Sequence, residues 1–163
     1  MNRLLLVAAS VVVLTLSVAG VIDAQTVDQW TVIQQLQADL KADRQAVVAQ
    51  NLPLTEAEAK AFWPVYKEYR TEMERLGDRL VKVIAAYAAN YPGQMNDERA
   101  TAFFNEYLAI ERDRAEVRDK YVPRVRKVLP GMKAARFFQI ENKLDALINL
   151  GIAQEIPLVP LKK

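Results

Sequence analysis

Three pairs of close carboxylates, Glu56 with Glu58, Asp97 with Glu98 and Glu111 with Asp113, are the first residues here whose type and spacing suggest chemistry. Neighbouring carboxylates can act as acid and base or hold a divalent cation. Either use needs companions that the chain does not supply. Di-metal sites in helical bundles combine glutamates with a Glu-x-x-His motif, and the sequence contains no histidine. No loop has the alternating acidic spacing of a calcium site. The lack of cysteine removes thiol nucleophiles and thiolate metal sites. No serine sits in a Gly-x-Ser-x-Gly elbow, and there is no phosphate-cradling glycine loop. Glu56 and Glu58 have a sufficient use at a helix start, beside its positive dipole end. The chain is therefore read as non-enzymatic, with no catalytic residue, cofactor or metal expected.

Positive charge is the more informative pattern. From Arg118 to Arg136 the basic residues are Arg118, Lys120, Arg124, Arg126, Lys127, Lys133 and Arg136, seven against Asp119 alone, a local excess of six. The whole chain has 22 basic and 20 acidic residues, net +2, so the remainder is acidic by four. A chain this close to neutral has no global drive towards nucleic acid, and none is expected as a partner. Lys120, Arg124 and Lys127 share one helical face. One reading is a solvated face that pairs with the acidic half of a partner subunit. The other is a docking surface for acidic or unfolded protein segments, made of Lys120, Arg124, Lys127, Lys133 and Arg136 beside Phe137 and Phe138. Anionic lipid is a third possible contact, through this segment or an uncleaved N-terminus. Arg114 is a charge on an apolar seam. It is expected to reach Glu72 or Glu74, or else to fix register as a polar seam position.

These residues must be positioned by helices. Met1-Asn2-Arg3 is a short positive start, and Leu4 to Ile22 is apolar apart from Ser10, Thr15 and Ser17. Asp23-Ala24-Gln25 then ends the run beside a small residue, as a signal-peptidase site would. A cleaved signal peptide over 1–24 is preferred to an uncleaved membrane anchor. In either case Arg3 stays cytoplasmic and the rest is exported, so a periplasmic location is expected. Residues 25–163 then form one all-α domain: helices at about 27–50, 55–91, 96–128 and 132–150, followed by an extended tail over 152–163.

The helix limits follow from local chemistry. Thr55-Glu56-Ala57-Glu58 reads as a capping box, and Pro92-Gly93 turns the chain. Asn96 caps the third helix, and Leu129-Pro130-Gly131 breaks the next junction. Pro64 predicts a kink near Lys60, and Pro123 a kink or an end. Gly151 is read as a C-cap. The second and third helices carry apolar seams in steps of three and four, from Phe62 to Tyr87 and from Ala100 to Val128. Folded antiparallel, they put Val83 opposite Phe103 and Tyr66 opposite Tyr121. Two flanking helices would cover this elongated hairpin, and a homodimer is expected to cover what they leave. The aromatic pairs near the helix starts, Phe62-Trp63, Phe103-Phe104 and Phe137-Phe138, would gather in clusters at the two hairpin ends.

The signal peptide, the four helices and the stretches Leu54-Thr55-Glu56-Ala57-Glu58 and Met95-Asn96-Asp97-Glu98-Arg99 resemble the Spy/CpxP family of periplasmic stress proteins. Glutamate and arginine stand where that family has glutamine, and the second stretch lacks the Leu-Thr pair. The resemblance implies an intertwined helical dimer that binds unfolded envelope proteins without ATP. The alternative is a regulatory or structural partner of one envelope protein, such as a sensor-kinase periplasmic domain. The histidines of metal-sensing relatives are missing, so that role is not implied.

Overall fold

In the computed structural model, which describes residues 44–161, the fold is all-α, with no strand among the described residues. Helix α1 covers residues 44–51, α2 Glu56–Asn90, α3 Asp97–Val128 and α4 Gly131–Glu155. The expected signal segment and the first helix as far as residue 43 lie outside the described residues. Among those described, no helix is long and apolar enough to cross a membrane.

Both predicted caps form. The Glu58 amide donates to the Thr55 hydroxyl, and the Thr55 amide donates to the Glu58 carboxylate at 2.8 Å. Asn96 accepts from the Arg99 amide at 2.9 Å. Pro64 and Pro123 both lie within continuous helix. A proline in a helix interior costs about 3 kcal/mol or more. Flanking burial offsets it, at roughly 1.5–3 kcal/mol for each large side chain taken fully from water. Phe62 and Tyr66 flank Pro64, Tyr121 and Val125 flank Pro123, and all four are buried.

Helices α2 and α3 form the antiparallel hairpin, α2 being about 52 Å long at 1.5 Å per residue. The seam register differs from the simple pairing by one step. Phe103 packs at a tilt against Tyr87 with centroids 4.7 Å apart, and Tyr121 packs edge-on against Tyr69 at 5.5 Å. Side chains lean towards the N-terminus of their own helix. Across an antiparallel pair they lean in opposite directions, so each touching residue lies further along its helix than backbone level alone indicates. Tyr107, placed on the seam by periodicity, is 38% exposed.

Two apolar cores result. At one end Val48 and Leu52 of the α1 segment, Phe62, Tyr66, Tyr69 and Met73 of α2, Tyr121 and Val125 of α3, and Phe137 of α4 pack together. Towards the other end a smaller core joins Leu80, Ile84, Ile110 and Ile152. Helix α4 runs parallel to α2 and passes through Gly151 rather than stopping there. Ile152, buried against α2 and α3, outweighs the roughly 1 kcal/mol that glycine costs in a helix. The non-helical tail begins after Glu155, and the Tyr87 hydroxyl donates to the Pro157 carbonyl at 2.8 Å, strapping it to α2.

Candidate functional site

The basic segment lies along the hairpin and the start of α4, where three of its seven charges meet carboxylates of α2. Lys120 pairs with Glu72 at 2.7 Å, Arg124 with Glu68 at 2.6 Å and Lys133 with Glu58 at 2.5 Å. Arg136 donates to the Asn51 carbonyl. Lys120 and Arg124 also flank the Tyr121 ring at 5.4 and 4.7 Å, and the Tyr121 hydroxyl donates to Glu72. Hydrogen bonds from Lys120 and Tyr121 hold the Glu72 carboxyl below its ordinary value. Of the five basic residues predicted to receive acidic segments, only Lys127 has neither an ion pair nor a side-chain hydrogen bond among the described residues. The acidic partner surface expected from a second subunit is supplied by α2 of the same chain.

Phe137 corrects its prediction most plainly. It is fully buried, in edge contact with Phe62, Tyr66 and Tyr69. Phe138 is partly buried against the same core. The pair therefore anchors α4 to the hairpin, and the expected gathering of aromatics at this end is what buries it.

The unexpected constellation lies between the two cores. Arg44, Arg114, Glu141 and Asp145 are all buried, on α1, α3 and α4. Glu141 is 1% exposed, taking Arg44 at 3.2 Å and Arg70 of α2 at 3.1 Å. Asp145 is shared by Arg44 at 2.5 Å and Arg118 at 3.0 Å. Burial pushes the Asp145 carboxyl up, but Arg44 and the hydrogen bonds from Arg44 and Arg118 outweigh it and hold it below the usual value. Burial likewise pulls Arg44 down, and Glu141 and Asp145 more than restore it.

Among the described residues, four guanidinium groups, that of Arg118 partly exposed, thus face two buried carboxylates. Two further carboxylates approach only to 3.9 Å: Glu74 towards Arg70, and Glu111 towards Arg114. Both are about two-fifths exposed, so water screens them. The reach of Arg114 to Glu72 or Glu74 is not formed, and its Nε has no hydrogen-bond partner among the described residues. Arg44, Arg70, Arg114 and Asp145 line a cavity of about 50 Å³ that Met73 and Gly77 also border.

Local spacing contained only half of this layer. Glu141 and Asp145 stand on the inward stripe of α4, with Phe137, Leu144 and Ile152, whereas Leu147 of the same helix is 60% exposed. Acidic residues on one seam and Arg114 on another were the available signal. Arg44, 97 residues from Glu141, gave none.

No protein-family model matches the chain, and neither does any curated protein or solved structure.

Proposed function

We propose that this is an exported, non-enzymatic helical protein that holds unfolded envelope polypeptides without ATP. The observation that carries the reading is the face of α3 bearing Phe104, Tyr107 and Leu108, which are 56%, 38% and 36% exposed. Their spacing of three and four residues puts them on one side of the helix. Exposed apolar surface on a helix scaffold has a favourable free energy of contact with the apolar stretches of any unfolded chain, without sequence selection. The signal-like N-terminus and the resemblance to the Spy/CpxP family support the same compartment and role. The basic segment contributes little in this reading, because most of its charge is already paired.

The test is client aggregation followed by light scattering, with several unrelated clients and circular dichroism of each variant. Phe104→Ser with Leu108→Ser should lose most of the protection and keep its helicity. Charge reversal of Arg124, Lys127 and Lys133 should leave protection largely unchanged if the fold survives. Full protection by the Phe104→Ser, Leu108→Ser variant would remove the basis of the proposal. Protection of one client alone would favour the specific-partner role.

A further inference from the structure

We propose that the cavity in the arginine layer is a binding site for a small tetrahedral oxyanion of the phosphate or sulfate type, held by Arg44, Arg70 and Arg114.

Charge, orientation and space each point to it. Among the described residues, the enclosed guanidinium groups of Arg44, Arg70 and Arg114 outnumber the two buried carboxylates by one, while Arg118 and the two outer carboxylates, at 3.9 Å from their arginines, are all partly exposed. Removing a charge from water without a close counter-charge is costly, and a bound dianion would supply two. Arg114 is 8% exposed, lines the cavity and has an unpartnered Nε, a donor without an acceptor in a place where donors are almost always paired. All the cavity's cations are arginines, whose forked planar donors suit oxyanions better than a lysine point charge does. Asp145 also lines the cavity, but its two oxygens are taken by Arg44 and Arg118. Glu74 lines it too, and is 43% exposed at the side chain.

The volume fits a compact anion. One water-sized oxygen needs about 10–15 Å³, so a cavity of about 50 Å³ has room for roughly three to five oxygens. Gly77 helps to keep that room. A Cβ placed there would meet nothing within 4 Å, yet glycine inside a helix costs about 0.5–1 kcal/mol against alanine. Arg44, Arg70 and Glu74 also line a wider groove of about 680 Å³ with Trp63 and Tyr66. Through it, a phosphoryl or sulfo group carried on a larger molecule would reach Arg44 and Arg70. The inference is independent of client binding, since it needs no client for its test.

The experiment is isothermal titration calorimetry of the purified protein with inorganic phosphate and with sulfate, against chloride at equal ionic strength. One saturable oxyanion site per chain is expected. Arg114→Gln should weaken binding at least about tenfold, the worth of one charge-assisted hydrogen bond. That variant should remain folded, because it removes a buried charge that has no close partner. Gly77→Leu should weaken binding by occupying the space while leaving every charge in place, and Arg112→Gln, an exposed position on the same helix, should not. Glycerol phosphate separates the sources: affinity equal to phosphate means a group carried on a larger molecule, and failure to bind means the free anion. No saturable binding by the unaltered protein, or equal binding by Arg114→Gln, would overturn the site.

Discussion

The stretch from Arg118 to Arg136 and the layer around Arg44, Arg70 and Arg114 carry positive charge in opposite ways. The first is dense along the chain and dilute in space, because Glu58, Glu68 and Glu72 of α2 each arrive opposite one of its cations. The second is sparse along the chain and dense in space, because three elements bring their arginines to two carboxylates. What sets the strength of an electrostatic site is the balance of charge within a few ångströms and its access to water, rather than the count per window of sequence. By that measure the conspicuous segment, apart from Arg118 at its edge, which reaches the buried Asp145, forms ordinary surface pairs, and the inconspicuous layer is the unbalanced one.

The comparison can be sharpened first where the effect is largest. Glu141 is almost wholly buried and holds two arginines, so Glu141→Gln leaves Arg70 without its close counter-charge and Arg44 with Asp145 alone. A loss of about 3–5 kcal/mol is expected, the range for breaking one side of a buried ion pair, read from urea unfolding. A loss below about 1 kcal/mol would mean that the layer is as wet and as weak as the surface pairs.

The acid limb of stability is the next way to distinguish the regions. The folded state holds the Asp145 carboxyl below its ordinary value of 3.8. A depressed carboxylate contributes stability that is present above its unfolded value and lost as pH falls through the lower folded one. Unfolding free energy should therefore decline from about pH 4 downwards, and Asp145→Asn should flatten that decline. An identical slope in the variant would assign the acid limb to carboxylates elsewhere.

The smallest effect belongs to the basic segment. Lys120→Gln breaks a pair whose lysine side chain is 55% exposed, and the expected loss is about 0.2–1 kcal/mol. A loss as large as that of Glu141→Gln would erase the distinction between the two regions.

Local rules read much of the fold correctly. The Thr55 and Asn96 caps and the two seams each depend on residues a few positions apart, whose periodicity or spacing is visible in the chain, and the gathering of Phe62, Trp63, Phe137 and Phe138 follows once those helices are folded against one another. Register depended on the lean of side chains across the hairpin, which seam spacing alone does not contain. Gly151 was misread because a distant contact of Ile152 outweighs a local preference. The site was the least legible part. A charge excess is easy to see in a window, whereas its neutralisation by Glu58, Glu68 and Glu72 requires the hairpin to be folded. The arginine layer needed Arg44 brought beside residues about a hundred positions away.

The most direct measurement compares the two regions in one assay: the thermal midpoint of unfolding in rising sulfate, against chloride at equal ionic strength. The variants are Arg114→Gln, and a second protein in which Lys120, Arg124, Lys127 and Lys133 are all changed to glutamine. A ligand that binds only the folded state raises its stability in proportion to the logarithm of its concentration above Kd. The unaltered protein and the fourfold variant should both show a sulfate-specific rise, and in Arg114→Gln the rise should begin only at about tenfold higher sulfate or beyond. A rise that survives unshifted in Arg114→Gln and disappears from the fourfold variant would place the anion response in the basic segment and contradict the account.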